Sequence, residues 1–392
     1  MSINSLSCII ILSFFLTASF LIMPYLVSVI APTAGLNVTE ITWGLGICNA
    51  VAALTLYFRP AFPDASRLLI LIMLFIFTGT VSVLAGMSFG ISLILLLGIG
   101  MMRISLVNFS DFNRQVHMQT NTEDGIKRAL SAANVVSNII SCSVPIAAAV
   151  ILHKWGAAGL ARISILLSLC SFLLASCLFK GNKSLRNVTV SSKPSPGRTI
   201  NRFASHAPLY LLVMINSVIF AFIFSYIPLK ITQVPQDMLA AAQQYIALYF
   251  TINSVVVVVL SFPVLYFLGK IKLSDRNVTL VATVLSLVSI IPFTVYNGEP
   301  EIITLSAVLM GLSEIIFLPF IVSYVSSKYL EEKEMILRDI TLLGVSLSAA
   351  VSSPVAGLMY HYGNKGLSLF ILICLIIFIF CVTKMEECRN EK

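Results

Sequence analysis

Twelve stretches of this sequence are apolar over about 20 residues, the length that an α-helix needs to cross the hydrocarbon core of a bilayer. Hydrophobic residues make up 58% of the 392-residue chain and charged residues only 11%, whereas a soluble domain carries about a quarter charged residues. Almost nothing remains for a soluble domain, so we predict an all-α integral membrane protein with twelve transmembrane helices. The runs are 6–30, 41–59, 68–86, 89–109, 130–153, 161–179, 207–231, 241–268, 277–296, 302–326, 340–360 and 366–383.

A single break in composition divides these runs into six and six. Residues 180–206 are basic, rich in Ser, Pro and Gly, and free of acidic side chains, which is typical of a linker. We therefore predict an N-terminal six-helix bundle over 1–179, a cytoplasmic linker over 180–206, and a C-terminal six-helix bundle over 207–392 that ends in a short cytoplasmic tail.

The two halves repeat each other at an offset of about two hundred residues. When Gly100 of the fourth run is set on Gly311 of the tenth, Arg103 falls on Glu314. A shared offset at several positions indicates an internal repeat, and parallel repeats of membrane helices are typical of transporters. Further pairs at a similar offset are Pro24 with Pro228, Asn49 with Asn253, Pro145 with Pro354, Phe109 with Phe320 and Gly156 with Gly363.

Lys and Arg residues indicate the orientation, because they concentrate in cytoplasmic loops. With a cytoplasmic N-terminus, the opposite side holds only Lys154, Arg162, Lys365 and Lys230. We therefore expect an inner-membrane protein with both termini in the cytoplasm. The net charge of +8 then reflects topology rather than binding to nucleic acid.

Cysteine and histidine patterns favour neither a metal nor a cofactor. The eight cysteines form no Cys-x-x-Cys pair and the four histidines are scattered, so no zinc site or disulfide framework is indicated. A membrane enzyme that transfers lipids or glycans would need clustered Asp, Glu or His near one membrane face. We find no such cluster and predict that the chain is not an enzyme.

Arg103 and Glu314 are the charged residues deepest in the apolar runs. A lone ion in hydrocarbon is costly, so such residues normally face water or a partner. Two interpretations are open, a functional pair of charges and a static buried ion pair that holds the halves together.

Several short motifs resemble those of the major facilitator superfamily over essentially the whole chain. Arg103 fits the intramembrane arginine of the family's fourth helix, and Asp64 survives in the loop between the second and third helices. Val144-Pro145 matches part of the fifth-helix motif that is linked to antiport. Other motif glycines are missing. The helix ends are most similar to bacterial sugar-efflux and drug-efflux exporters.

The resemblance implies that helices one, four, seven and ten line a central cavity. Glu314 would then carry the proton, with Arg103 tuning it, because an apolar surround disfavours a carboxylate and a nearby arginine favours it. Asp111 is a second candidate for the proton carrier. The resemblance also implies a conformational latch in the loops that contain Asp64, Arg67, Asp275 and Arg276.

Polar and aromatic side chains in the runs are candidates for the substrate cavity, with helix packing as the alternative. They are Asn49, Asn108, Asn216, Asn253, Tyr25, Tyr226 and Phe320. Prolines within the runs predict helix kinks; these are Pro24, Pro145, Pro228 and Pro354.

Together these features predict a monomeric secondary transporter that exports a small organic solute by proton antiport with alternating access. The solute would be a sugar, a drug or a peptide-like metabolite, because the runs carry few charges. Two alternatives remain: a proton-coupled importer, which would use the same Glu314, and a non-transporting receptor built on a transporter fold.

Overall fold

Long α-helices form nearly all of the chain in the computed structural model. The chain divides into two compact units, Met1–Lys193 and Pro194–Lys392. The structure describes residues 3–59, 65–120, 123–180, 206–233, 239–271, 273–329 and 333–390.

The helices of the first unit follow the predicted runs closely. Within the described part of this unit they are α1 (Ile3–Ile22), α2 (Val38–Phe58), α3 (Ala65–Phe89), α4 (Ser92–Thr120) and α5 (Glu123–Lys180).

The second unit repeats this order. Its described helices are α6 (Ala207–Ile231), α7 (Leu239–Ile271), α8 (Asp275–Ile290), α9 (Pro300–Lys328), α10 (Lys333–Thr341) and α11 (Ser348–Asn390).

Ten helical stretches among the described residues are long and apolar enough to cross a membrane. Two of them, Val136–Cys177 and Ser348–Met385, contain 42 and 38 residues, enough for two crossings each. Each bends at a glycine with a positive φ, 64° at Gly156 and 59° at Gly363, a conformation that glycine adopts without steric cost. All twelve predicted runs are thereby accounted for, and the all-α membrane class is confirmed.

The helix starts are encoded locally. The Asn37 side chain accepts a hydrogen bond from the Glu40 backbone N–H, and the Glu40 carboxylate accepts one from the Asn37 N–H, which together form a capping box before α2. The Ser274 hydroxyl caps α8. Pro300 occupies the first turn of α9, where its missing N–H costs nothing.

Equivalent helices pack in equivalent ways inside each unit. In the first unit α4 packs against α2 and α3, and in the second α9 packs against α7 and α8. The helices that carry Arg103 and Glu314 therefore hold the same position in their units.

The prolines affect their helices differently. Around Pro24 the α-helix gives way to a 3₁₀ turn over Met23–Tyr25 and a π-helical turn over Leu26–Ile30. Further prolines lie in the interior of α-helices; they are Pro145, Pro228, Pro263, Pro319 and Pro354.

Candidate functional site

Glu314 is a half-buried acid in the middle of α9. Its Oε2 accepts a hydrogen bond from Asn253 Nδ2 of α7 at 3.2 Å. Among the described residues of the second unit, no basic side chain forms an ion pair with it. Its hydrogen-bond partner in this unit is a neutral amide.

Gly311 explains how Asn253 reaches Glu314. A Cβ at Gly311 would lie 2.8 Å from Val256 Cγ1 and 3.0 Å from the Asn253 carbonyl oxygen, closer than ordinary van der Waals contact. The glycine therefore allows α9 to approach α7 closely, one turn before the acid.

Arg103 holds the corresponding place on α4 of the first unit. It is half-buried, and its Nε is buried without a hydrogen-bond partner in the described chain. No acidic side chain in the described part of its own unit forms an ion pair with it. At Gly100, one turn earlier, a Cβ would make an ordinary contact of 3.6 Å with Cys48 Sγ.

Asp111 belongs to a buried charge cluster at the end of α2. The Arg59 NH2 group donates to Asp111 Oδ2 at 2.7 Å, and its NH1 group donates to Asn108 Oδ1 at 2.9 Å. The side chains of Arg59 and Asp111 are 6% and 2% exposed. The cluster therefore joins α2 to α4, and Asp111 has a guanidinium partner that Glu314 lacks within its unit.

Asn216 takes part in a hydrogen-bond network between three helices. Its Oδ1 accepts from the Ser286 hydroxyl at 2.6 Å, and Ser286 and Ser313 share a hydrogen bond at 2.5 Å. The Ala282 carbonyl, 2.8 Å from the Ser313 hydroxyl, is an alternative acceptor for its single proton. This network ties α6 and α8 to α9 at the residue next to Glu314.

The other polar and aromatic candidates have separate environments. The Tyr25 hydroxyl donates to the Pro145 carbonyl at 3.1 Å, so two candidate residues meet between α1 and α5. The Tyr226 hydroxyl is buried without a partner in the described chain. Asn49 is buried and Phe320 is half-buried.

The loop candidates form separate contacts within their units. Asp275 Oδ2 accepts from the Ser323 hydroxyl of α9 at 2.6 Å. Arg276 donates to the Val382 carbonyl of α11 at 3.4 Å. Arg67 is exposed, and Asp64 lies outside the described residues.

Sequence reasoning missed the partners of Asp111 and Asn216. Arg59 was not among the candidate residues, although it ends the apolar run 41–59. Ser286 and Ser313 were not singled out, although both are polar residues in the middle of apolar runs. No group of three or more His, Cys, Asp or Glu that could hold a metal occurs among the described residues.

No family model matches this sequence, and no curated protein does. Its structure is similar to that of a POT family transporter in complex with a thioalcohol-conjugated peptide, with a TM-score of 0.71, 13% identity, and coverage of 99% of this chain and 96% of that chain. A POT family transporter in complex with 5-aminolevulinic acid matches with a TM-score of 0.68 and 12% identity, covering 97% of this chain and 95% of that one. The nucleoside transporter NupG matches with a TM-score of 0.66 and 11% identity, covering 97% and 99%.

These likenesses extend over nearly the whole of each chain and show the fold. The chain shares the fold of these transporters, which confirms the predicted all-α membrane fold. The ten membrane-length stretches of the described residues, two of them long enough for two crossings, are consistent with the twelve predicted helices. At such low sequence identity, these structures give no information about the solute or the coupling ion of this protein.

Proposed function

We propose that this protein is a secondary active transporter that moves a small organic solute across the membrane and couples that movement to protons at Glu314. The observation that supports this proposal is the environment of Glu314. It is a mid-span acid whose hydrogen-bond partner within its unit is a neutral amide.

A coupling acid has to exist in both protonation states during the cycle. An adjacent guanidinium favours the charged form of a carboxylate, and Asp111 has such a partner in Arg59. Among the described residues of its unit, Glu314 has no cationic partner of this kind. An ionised group in the bilayer core is costly, so its charge state can respond to changes in its surroundings.

Arg103 supplies the complementary charge at the equivalent position of the first repeat. Its buried Nε lacks a hydrogen-bond partner in the described chain, which leaves a donor for an anionic or polar group. We assign it the role of tuning Glu314 or binding an acceptor group of the solute. Asp64, Arg67, Asp275 and Arg276 remain proposed members of a conformational latch.

The proposed solute is a sugar, a drug or a peptide-like metabolite. Structural neighbours that are described with a bound peptide conjugate, with 5-aminolevulinic acid and as a nucleoside transporter support a small polar organic solute. We propose export by proton antiport, on the resemblance of Val144-Pro145 to the antiport motif. The protein would act as a monomer in the inner membrane, with both termini in the cytoplasm.

The test is a solute screen in proteoliposomes that hold an imposed pH gradient. Dipeptides, nucleosides, sugars and common antibiotics would be added one at a time, and lumenal pH followed. We expect one class to drive proton movement in the wild type and in Glu301→Gln, and no movement in Glu314→Gln. Glu301 is a matched control, because it is an exposed acid on the same helix.

The direction of the solute relative to the proton gradient separates export from import. Opposite directions support antiport, and the same direction would replace it with symport at the same acid. A protein that binds a solute and moves none would be a receptor, contrary to the proposal. Coupling that persists in Glu314→Gln would remove Glu314 from the mechanism.

A further inference from the structure

Three buried side chains carry polar atoms at the contact between α7 and α9, on one side of Glu314. Tyr249 and Asn253 lie one turn apart on α7, and Ser306 lies two turns before Glu314 on α9. Apart from the approach of the Tyr249 and Ser306 hydroxyls to each other, the Tyr249 hydroxyl, the Asn253 Oδ1 and the Ser306 hydroxyl are each buried without a hydrogen-bond partner in the described chain.

These groups are deeply buried and close to one another. Tyr249 is 1% exposed, Asn253 7% and Ser306 0%. The Tyr249 hydroxyl lies beside the Ser306 hydroxyl and within electrostatic range of Glu314, and Asn253 touches Glu314 directly. From Ser306 to Glu314, these groups extend about 12 Å along α9, at a rise of 1.5 Å per residue.

A further buried hydroxyl lies toward the N-terminal end of α9, beyond the ring of Phe293, which contacts both Tyr249 and Tyr296. Tyr245 lies one turn before Tyr249 on α7 and is close to Tyr296 in the segment before α9. The Tyr296 hydroxyl is also buried without a partner among the described groups. A tyrosine hydroxyl both donates and accepts a hydrogen bond, so it can accept one proton and pass on another.

The first repeat provides an internal comparison. At the repeat offset, Tyr245, Tyr249 and Ser306 correspond to apolar residues. These are Ile41, Leu45 and Leu95, each no more than 1% exposed. Asn253 has a polar counterpart in Asn49, but the two tyrosines and the serine occur only in the repeat that carries the acid, although equivalent helices pack together in both.

Unpartnered buried polar atoms in proteins are normally satisfied by internal water molecules, each bonded to about three groups. We propose that a chain of bound water molecules runs along Tyr296, Tyr249, Ser306 and Asn253 and conducts protons between Glu314 and the membrane face at which α9 begins. This inference rests on the proposed role of Glu314.

Proton transfer along this chain balances at every step. A hydronium at the membrane face gives a proton to the first water or hydroxyl, and each oxygen in turn accepts one proton and passes on another. The net result is one proton added to the Glu314 carboxylate, and release runs in reverse. On α7, α9 and the segment before α9, the titratable groups between Glu314 and that face are Tyr245, Tyr249, Tyr296, Glu299 and Glu301. The neighbouring helix α6 adds Tyr226 and Lys230 near its end at the same face.

The test is a one-sided acid jump on proteoliposomes with the C-terminal tail inside. The helix order places the start of α9 on the face opposite the tail, so external acid enters at that face. Time-resolved infrared spectroscopy would follow the carboxylic-acid band that disappears in Glu314→Gln. This assay needs no solute.

We expect Tyr249→Phe and Ser306→Ala each to slow the appearance of this band about fivefold, as for the loss of one hydrogen bond in the path. Both variants keep the shape of the core, and either one alone tests the path. Tyr266→Phe, the same change at an exposed site near the other end of α7, should leave the rate unchanged.

The outcomes separate the two proposals. A band that appears at the wild-type rate in both Tyr249→Phe and Ser306→Ala overturns the water path and leaves Glu314 as an acid that titrates by another route. If no band depends on Glu314, neither the path nor the coupling role stands. Slowing in the two path variants but not in Tyr266→Phe supports the path.

Discussion

The Arg59–Asp111 cluster allows a quantitative prediction about stability. In Asp111→Leu, Arg59 remains buried at 6% exposure without its carboxylate. Removing one partner of a buried ion pair costs about 3–5 kcal/mol. In Arg59→Met/Asp111→Leu both charges are gone, and Asn108 loses only the donor at 2.9 Å, worth about 1 kcal/mol. The double variant should therefore be more stable than the single one by about 2–4 kcal/mol.

The free energy of unfolding of each variant would be measured by SDS titration in mixed micelles, together with Arg59→Met alone to complete a double-mutant cycle. Residues in direct contact give non-additive effects in such a cycle, whereas independent residues add. A double variant that loses as much stability as the two single variants combined would show that Arg59 and Asp111 are not coupled energetically, contrary to the prediction. Asp111→Asn would also be tested for coupling. If that variant abolished proton coupling, Asp111 would replace Glu314 as the coupling acid.

Two further predictions concern packing. Gly311→Ala should lower the free energy of unfolding by about 1–3 kcal/mol, because its Cβ would lie 2.8 Å from Val256 Cγ1. Gly100→Ala should change it little, because its Cβ would lie 3.6 Å from its nearest neighbour. Equal melting temperatures of the two variants would contradict this. Tyr25→Phe should cost about 1 kcal/mol by removing the bond to the Pro145 carbonyl, and a transport change larger than the stability change would instead indicate that Tyr25 contacts the solute.

The fold could be predicted from the sequence because membrane helices appear in it as continuous apolar runs. The repeat was also readable from glycines. Gly156 and Gly363 share an offset in the sequence and share a positive φ in the structure. Gly100 and Gly311 likewise both lie where their helices meet a neighbour.

The side-chain partners were not readable in the same way. A sequence gives the height of a residue along its helix but not the direction in which it points around the axis. Asn108 and Asp111 stay predictions for the cavity and for proton transfer, but their shared contact with Arg59 could not be read from the sequence. Asn216 was likewise a cavity candidate, and the structure bonds it to Ser286.

The most direct test of the central claim compares two modes of transport by Glu314→Gln in the same vesicles. With the solute identified by the screen, counterflow exchange at equal pH requires binding and conformational change but no net proton movement. Accumulation driven by a pH gradient requires the coupling acid as well. We predict that Glu314→Gln retains counterflow and loses gradient-driven accumulation, whereas gradient-driven accumulation at the wild-type level would contradict the assignment of Glu314 as the site of coupling.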